Sequence, residues 1–263
     1  MLVAARQART ANTFSPRQTR SAVGVATVRG KYGPSARFYL TPDGAPVATG
    51  TSISTVRDWS GRNTSISQVT ASKQPLAGSR QGIPCFTFDG LNDALQIATI
   101  NLTTTQAITV AIVEFRPVAN VGVVWEFGTD INLGGGSIGT FVNDNGQCFS
   151  TAYASGSQFQ FRAVASAIGR WRAWVVTANR AAAATNQLYV YSQGAQVTSF
   201  VNSLNGTVTG AFGNLASWVG SRNNGQAFPL NGSLAQVILL NRALSPSDAA
   251  ALSLEIAQAG GVA

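Results

Sequence analysis

The stretch Gly232-Ser233-Leu234-Ala235-Gln236-Val237-Ile238-Leu239-Leu240-Asn241-Arg242-Ala243-Leu244-Ser245 decides the fold. Its apolar core, Leu234 to Leu240, has the length of a buried strand. The residues after it read as a helix: Ser245 is a good N-cap, Pro246 sits at the first helical position, and Asp248 places a carboxylate near the N-terminus. Gly260-Gly261 stops that helix, and its apolar face, Ala249, Leu252 and Ile256, is expected to pack back on the protein's own body.

Upstream, short apolar or alternating runs recur with turn signals between them. Ala36 to Leu40 ends at Pro42-Asp43-Gly44, and Pro84 to Phe88 ends at Asp89-Gly90. Ala107 to Arg116 is rich in β-branched residues and stops at Pro117; Val121 to Phe127 precedes Gly134-Gly135-Gly136. Gln147 to Tyr153, Ser157 to Arg162, Trp171 to Thr177, Gln187 to Tyr191, Ala195 to Val201 and Ser217 to Gly220 continue the pattern. Many short strands at this spacing predict a sandwich or jelly roll, not a parallel α/β sheet.

Two groups of residues resemble the concanavalin A-like, laminin-G-like jelly-roll family. One is Asp58-Trp59-Ser60-Gly61-Arg62-Asn63, followed by Phe86-Thr87-Phe88-Asp89-Gly90-Leu91-Asn92-Asp93-Ala94-Leu95. The other is Leu188-Tyr189-Val190-Tyr191-Ser192-Gln193-Gly194, then Trp218-Val219-Gly220, then the closing strand and helix quoted first. The resemblance implies an all-β jelly-roll sandwich over residues 36–263 with a short C-terminal helix. Gln193 and Gln236 stand where the family often has carboxylates or Asn, so the resemblance does not bring a calcium site with it.

The 263 residues carry 18 Lys+Arg, 10 Asp+Glu and no His, a formal charge of +8. Seven of the basic groups, Arg6, Arg9, Arg17, Arg20, Arg29, Lys31 and Arg37, lie in the first forty residues without a single acid. The charge therefore belongs to an extended basic arm, residues 1–35, in front of a nearly neutral body. Only 11% of residues are charged, against roughly 25% in an average soluble protein. Such a polar, uncharged surface suits secreted, fibre and capsid-type proteins. No run approaches the ~18 apolar residues of a membrane span, and Arg6 and Arg9 interrupt any signal-peptide core.

Lack of histidine excludes a Ser-His-Asp triad, a Cys-His pair and histidine-ligated metals. Cys85 and Cys148 are either two buried thiols or one disulfide. A glucanase-type site needs two carboxylates on one strand facing a cleft. Glu126 and Asp130 come nearest, but Gly128 separates them, so Glu126 reads as a strand-end charge and Asp130 as a turn residue. Asp89 and Asp93 read as Asx-turn formers. No catalytic residue, metal or cofactor is expected, and the chain is read as a non-enzyme.

Trp171 and Trp174 lie at an odd offset and therefore on opposite faces of a strand, so one of them is expected to be exposed. The candidate glycan-binding set is Trp174 and Trp218 with Asn143, Asn145, Arg222, Asn223 and Asn224. For the arm, three readings stand: nucleic-acid binding by charge, an organelle transit peptide, or a docking segment. Docking through Arg6, Arg9, Arg17, Arg20, Arg29 and Lys31 is favoured over nucleic acid because the charges are sparse and few aromatics interleave. Such domains are frequent in phage structural proteins. The resemblance, the arm and the low charge together imply a head spike, fibre, tail or decoration subunit at the surface of a virus-like particle. Its expected partners are other virion proteins, further copies of itself and a host glycan. The alternative is a secreted or cell-surface bacterial carbohydrate-binding module.

Overall fold

A computed structural model of the chain describes residues 30–42, 49–131, 136–143, 148–155 and 158–262. The strands of the first part are β1 (Ala36–Leu40), β2 (Thr55–Val56), β3 (Ile66–Ser67), β4 (Leu76–Arg80), β5 (Ile83–Asp89) and β6 (Leu95–Asn101). Next come β7 (Ala107–Phe115), β8 (Gly122–Phe127), β9 (Ile138–Asn143), β10 (Cys148–Ser155), β11 (Gln158–Ala165) and β12 (Trp171–Asn179). The last are β13 (Leu188–Ser192), β14 (Ala195–Gln196), β15 (Asn202–Asn205), β16 (Asn214–Val219) and β17 (Asn231–Leu240), followed by a helix over Pro246–Ala259.

They form two antiparallel sheets. The first runs β14-β13-β12-β7-β17-β5-β4, with β1 also paired to β17; the second runs β15-β11-β10-β9-β8-β16-β6-β3-β2. Between the sheets lies a core that includes Phe38, Phe86, Phe88, Trp125, Phe127, Phe149 and Trp174. The expected all-β jelly-roll sandwich is the observed fold, with the short C-terminal helix in place.

That helix covers the outer face of the first sheet. Its Ala249, Leu252, Ile256 and Ala257 pack in a second apolar cluster with Tyr39, Ala111, Val113, Phe115, Trp171, Tyr191 and Ile238. Strand β7 shows why the central strands read as unbroken apolar runs. Ile108, Val110 and Ile112 face the sandwich core, while Ala111, Val113 and Phe115 face the helix. Trp171 and Trp174 do point to opposite faces, but neither is exposed (5% and 3%), because both faces of this sheet are covered.

The two family-like turns are held by carboxylates, of which Asp58 and Asp93 are buried and Asp89 is exposed. Asp58 accepts from Tyr39 N at 2.9 Å, Ser60 N at 2.8 Å, Ser60 Oγ at 2.7 Å and Thr64 N at 2.9 Å, which ties this turn to β1. Asp89 Oδ1 accepts from Leu91 N at 2.7 Å, and Asp93 Oδ2 accepts from Asp89 N at 2.9 Å, the expected Asx-type arrangement. Gly90 is required between them: its φ is +80°, and a Cβ there would lie 2.8 Å from the Asn231 Cβ. Cys85 is a free, buried thiol, so the disulfide alternative falls. Among the described residues no helix is long and apolar enough to cross a membrane.

Candidate functional site

Cross-strand register lines up Gln96, Trp218, Glu126 and Gly139 in one row across the second sheet. Trp125 and Phe127 point into the core, so Glu126 between them points to the outer face. Strand β16 ends at Val219, and the loop Ser221–Phe228 comes next. Arg222, four residues past Trp218, reaches Glu126, the cross-strand partner of Trp218. The loop therefore folds back over the sheet.

Local chemistry sets this loop's shape. Asn223 (φ 43°), Asn224 (φ 61°) and Gly225 (φ 79°) are successive left-handed residues, a conformation that Asn and Gly tolerate. Arg222 N donates to Ala227 O at 2.9 Å and Gly225 N to Ser221 Oγ at 2.8 Å, closing the turn. Phe228 is also left-handed (φ 50°), which is unfavourable for an aromatic residue. It remains 43% exposed.

The Arg222 guanidinium is clamped from several directions. Its Nε lies 3.0 Å from Glu126 Oε2 and 3.2 Å from Oε1, and one Nη lies 3.1 Å from Asp130 Oδ1. The Phe228 ring stacks against it at 4.9 Å and the Phe141 ring at 5.9 Å. Glu126 is fully buried and also accepts from Ile131 N at 2.8 Å. Burial pushes its carboxyl above the usual carboxylate range, against the opposing pull of Arg222. Two carboxylates that read from the sequence as unrelated charges are thus joined on one guanidinium. In this conformation Glu126 positions Arg222 and has no contact with solvent, whereas Phe228 and part of Asp130 face outward.

The residues expected to bind glycan are distributed unevenly around this feature. Arg222, Asn223 and Asn224 all belong to the loop, yet their polar groups are used within the protein. Asn223 Nδ2 donates to Gln226 Oε1 at 2.8 Å, and Asn224 Oδ1 accepts from Gln68 Nε2 at 2.9 Å. Trp218 lies beside Glu126 but is only 6% exposed, so it is not an open platform. Trp174 is a core residue: it stacks on Phe149 at 4.8 Å, and its Nε1 donates to the buried Glu114 at 3.2 Å. Asn143 ends β9, where its carbonyl accepts from Arg116 at 3.1 Å; Asn145 lies outside the described residues. Phe228 and Phe141, the aromatic groups that flank the clamp, were missed, although Phe228 stands shortly after Asn223-Asn224-Gly225 in a loop that the sequence marks as a candidate.

Of the docking residues, Arg6, Arg9, Arg17, Arg20 and Arg29 lie outside the described residues. Lys31 is described and forms an exposed pair with Glu255 of the C-terminal helix at 3.1 Å. Among the described residues no group of three His, Cys, Asp or Glu side chains is placed to hold a metal.

Solved structures share this fold at low identity. Trypanosoma rangeli sialidase in complex with sialic acid matches with a TM-score of 0.56 and 15% identity, over 86% of this chain and 34% of the sialidase. The ligand binding domain of botulinum neurotoxin serotype D in complex with N-acetylneuraminic acid matches with a TM-score of 0.58 and 11% identity, over 88% of this chain and 52% of that one. The binding domain of botulinum neurotoxin serotype G matches with a TM-score of 0.57 and 11% identity, over 83% and 50%. The chain thus spans between a third and about half the length of these proteins. No curated protein matches the sequence.

These similarities correct the expectation that the chain is not an enzyme. Sialidases are among the proteins that share its fold, so the architecture does not separate catalysis from binding, and the missing histidine removes only histidine-dependent chemistry. A family model described as the concanavalin A-like lectin/glucanases superfamily matches residues 88–250, more than half of the sequence and all strands from β6 to β17. The chain belongs to the concanavalin A-like lectin/glucanases superfamily.

Proposed function

We propose that the chain binds carbohydrate through the outer face of its second sheet, at Phe228, Phe141 and Arg222. The observation that carries this reading is Phe228: a 43% exposed aromatic held at φ 50° against a guanidinium that is itself fixed by two carboxylates. A strained, exposed and immobilised ring is suited to stacking on the apolar face of a sugar. Backbone strain of this kind persists only where the surroundings over-determine it, and the Arg222 clamp supplies that constraint. One guanidinium faces two carboxylates, so the clamp offers no surplus positive charge and favours a neutral sugar over an acidic one. The sialic acid and N-acetylneuraminic acid complexes of structurally similar proteins support carbohydrate as the ligand class.

The test is a glycan array carrying neutral and sialylated oligosaccharides, probed with the full chain and with Phe228→Ala. Retention of neutral glycans by the wild type and its loss in the variant is the expected result. Equal retention by both proteins, or no retention by either, sinks the assignment to this face.

We also propose that this domain belongs to a virus-like particle as a spike, fibre, tail or decoration subunit, in several copies, anchored to other virion proteins by residues 1–35. Its support is the acid-free clustering of seven basic groups in the first forty residues beside a weakly charged body. Removing residues 1–35 is expected to abolish co-sedimentation with particles while leaving glycan retention intact. If the shortened protein still joins particles, the anchoring role is wrong, and a free carbohydrate-binding module becomes the better description.

A further inference from the structure

Strand β1 begins at a corner of the body where basic groups from three parts of the chain meet. Its edge away from β17 is covered by residues 57–64. Trp59 N donates to Tyr39 O at 3.0 Å, and Arg62 donates from Nε to Ala36 O at 3.3 Å and from Nη2 to Pro34 O at 2.8 Å. The Arg62 charge is thereby brought beside Arg37. Asn241, just past the end of β17, donates its N–H to Ser35 O at 2.9 Å, and its side-chain oxygen accepts from Arg37 at 2.6 Å, so Arg242 follows at the same corner. The Tyr32 ring lies 5.9 Å from the Arg242 guanidinium and 5.2 Å from Lys31 Nζ. Arg57, in the covering segment, rests on the Trp59 ring at 4.3 Å.

Lys31, Arg57, Arg62 and Arg242 are exposed, and Arg37 is half-buried. The acids on the neighbouring elements are already engaged. Asp58 is buried in its turn, Asp248 accepts from Ser245 Oγ at 2.9 Å, and Glu255 pairs with Lys31 at 3.1 Å. Among the described residues Arg37, Arg57, Arg62 and Arg242 form no ion pair. Burial, with the adjacent Arg62 charge adding to it, pushes the Arg37 guanidinium below its ordinary value. Like charges gathered in this way repel one another, and an anionic partner relieves that repulsion. Residues 1–29, with five further basic groups and no acid, join the body at Gly30, next to Lys31. The basic arm therefore issues from the same corner.

Guanidinium groups pair with carboxylates through parallel N–H donors, and the anchored Arg37 and Arg62 are pre-organised for it. A nucleic acid fits this corner less well. Single strands stack their bases on open aromatic rings, whereas the Trp59 ring carries a guanidinium and Tyr32 is 1% exposed. Duplexes commonly engage about 6–10 phosphates, more than the unpaired guanidiniums offered here. We propose that this corner of the body is a docking surface for an acidic polypeptide segment of a partner protein, whose carboxylates pair with Arg37, Arg57, Arg62 and Arg242. The inference rests on the reading of the chain as anchored to other proteins, and it extends the anchor from the arm onto the folded body.

Fluorescence titration and amide-shift NMR on the full chain test this with a labelled oligoglutamate peptide. A DNA duplex and a single-stranded RNA of similar charge serve as the competing probes. The peptide is expected to bind, to weaken as salt is raised, and to shift the amides of Gly33, Gly61 and Ala243. Arg57 and Arg242 donate no side-chain hydrogen bond among the described residues, so Arg57→Glu with Arg242→Glu reverses charge without loosening a turn. That double variant is expected to weaken the peptide by at least about tenfold. Replacing Arg6, Arg9, Arg17 and Arg20 by Gln is expected to leave the shifts at the corner in place. The proposal is overturned if the wild type does not bind the peptide, if the corner amides do not move, or if the double variant binds as the wild type does. Tighter binding of either nucleic acid at these amides overturns it as well. The two readings fail separately: particles that still recruit a chain lacking residues 1–35 remove the anchoring role of the arm, whereas unchanged peptide binding by the double variant removes the docking surface.

Discussion

At Arg222 the two carboxylates do different work. Glu126 is fully buried, so removing it takes from the Arg222 guanidinium, 10% exposed, its buried partner and leaves it only the more exposed Asp130. Glu126→Ala is expected to cost about 3 kcal/mol, read as a shift of the urea midpoint, because a buried charge loses its buried counter-charge. The side chain of Asp130 is 29% exposed, and Asp130→Ala is expected to cost clearly less. Asp93 supplies a pH-dependent contribution. Burial, with the nearby Asp89 charge adding to it, raises its carboxyl from 3.8 to about 6. A carboxyl raised on folding stabilises the native state while protonated. The contribution is therefore complete below about pH 4 and is lost as pH rises through about 6. Asp93→Asn keeps a side-chain acceptor for Asp89 N and removes the charge. It is expected to flatten the stability profile between pH 4 and 7 and to raise stability at neutral pH by on the order of 1–2 kcal/mol. The turn role of Asp89 and Asp93 was legible in the sequence because the contacts are four residues apart or fewer. The Arg222–Glu126 pair was not, because 96 residues separate its members and only the register of β8 with β16 joins them.

Among the elements, the C-terminal helix was the most legible, since its boundaries are chemical. Ser245 accepts from Asp248 N at 3.1 Å, Pro246 begins the helix and Gly260 ends it, as the residue types imply. Ser245→Ala is expected to lower stability by about 1 kcal/mol in thermal unfolding. Strands that end at strong turns were also readable: β1 spans Ala36–Leu40 as anticipated, and β8 differs by one residue at its start. Strands β2 and β3 were missed because two-residue segments carry no period, β9 because a glycine run precedes it, and β4 because Leu76-Ala77-Gly78-Ser79-Arg80 has no apolar alternation; β6, whose Leu95 and Ile97 do alternate, was missed as well. Of the expected strand Ala195 to Val201 only Ala195–Gln196 is extended in the sheet, as β14, and the next strand, β15, starts beyond it at Asn202 in the other sheet. Exposure of the tryptophans could not be read locally. Alternation tells on which face a side chain lies, but not whether a helix or a loop later covers that face.

At the scale of the whole molecule, the helix makes the first sheet a middle layer. Trp171, Tyr191, Ile238 and Leu240 lie beneath or beside it in one apolar cluster. Deleting residues 245–263 is expected to expose that cluster, giving dye-detected apolar surface and self-association in size-exclusion chromatography. A folded monomer that binds no dye would show that the outer face of the sheet is covered by something other than the helix. Gross architecture was legible in the sequence, since short strands and turn signals repeat along the chain and the family-like turns recur in order. The layering was not, because it depends on which strands become neighbours.

The position of β17 in that layer also bears on biosynthesis. This strand hydrogen-bonds to β1, β5 and β7, and it is made after all the other described strands. Until Asn231–Leu240 has been synthesised, β7 lacks its neighbour on one side, and β1 lacks the only strand it pairs with among the described residues. The first sheet therefore cannot assemble progressively behind the ribosome. Pairings as far apart in sequence as β1 with β17 form late and slowly. Throughout that interval, strands as apolar as Ile108–Phe115 present an open edge to their surroundings. The time for which synthesis leaves this edge unpaired therefore adds a risk of misassembly that is separate from the stability of the finished protein.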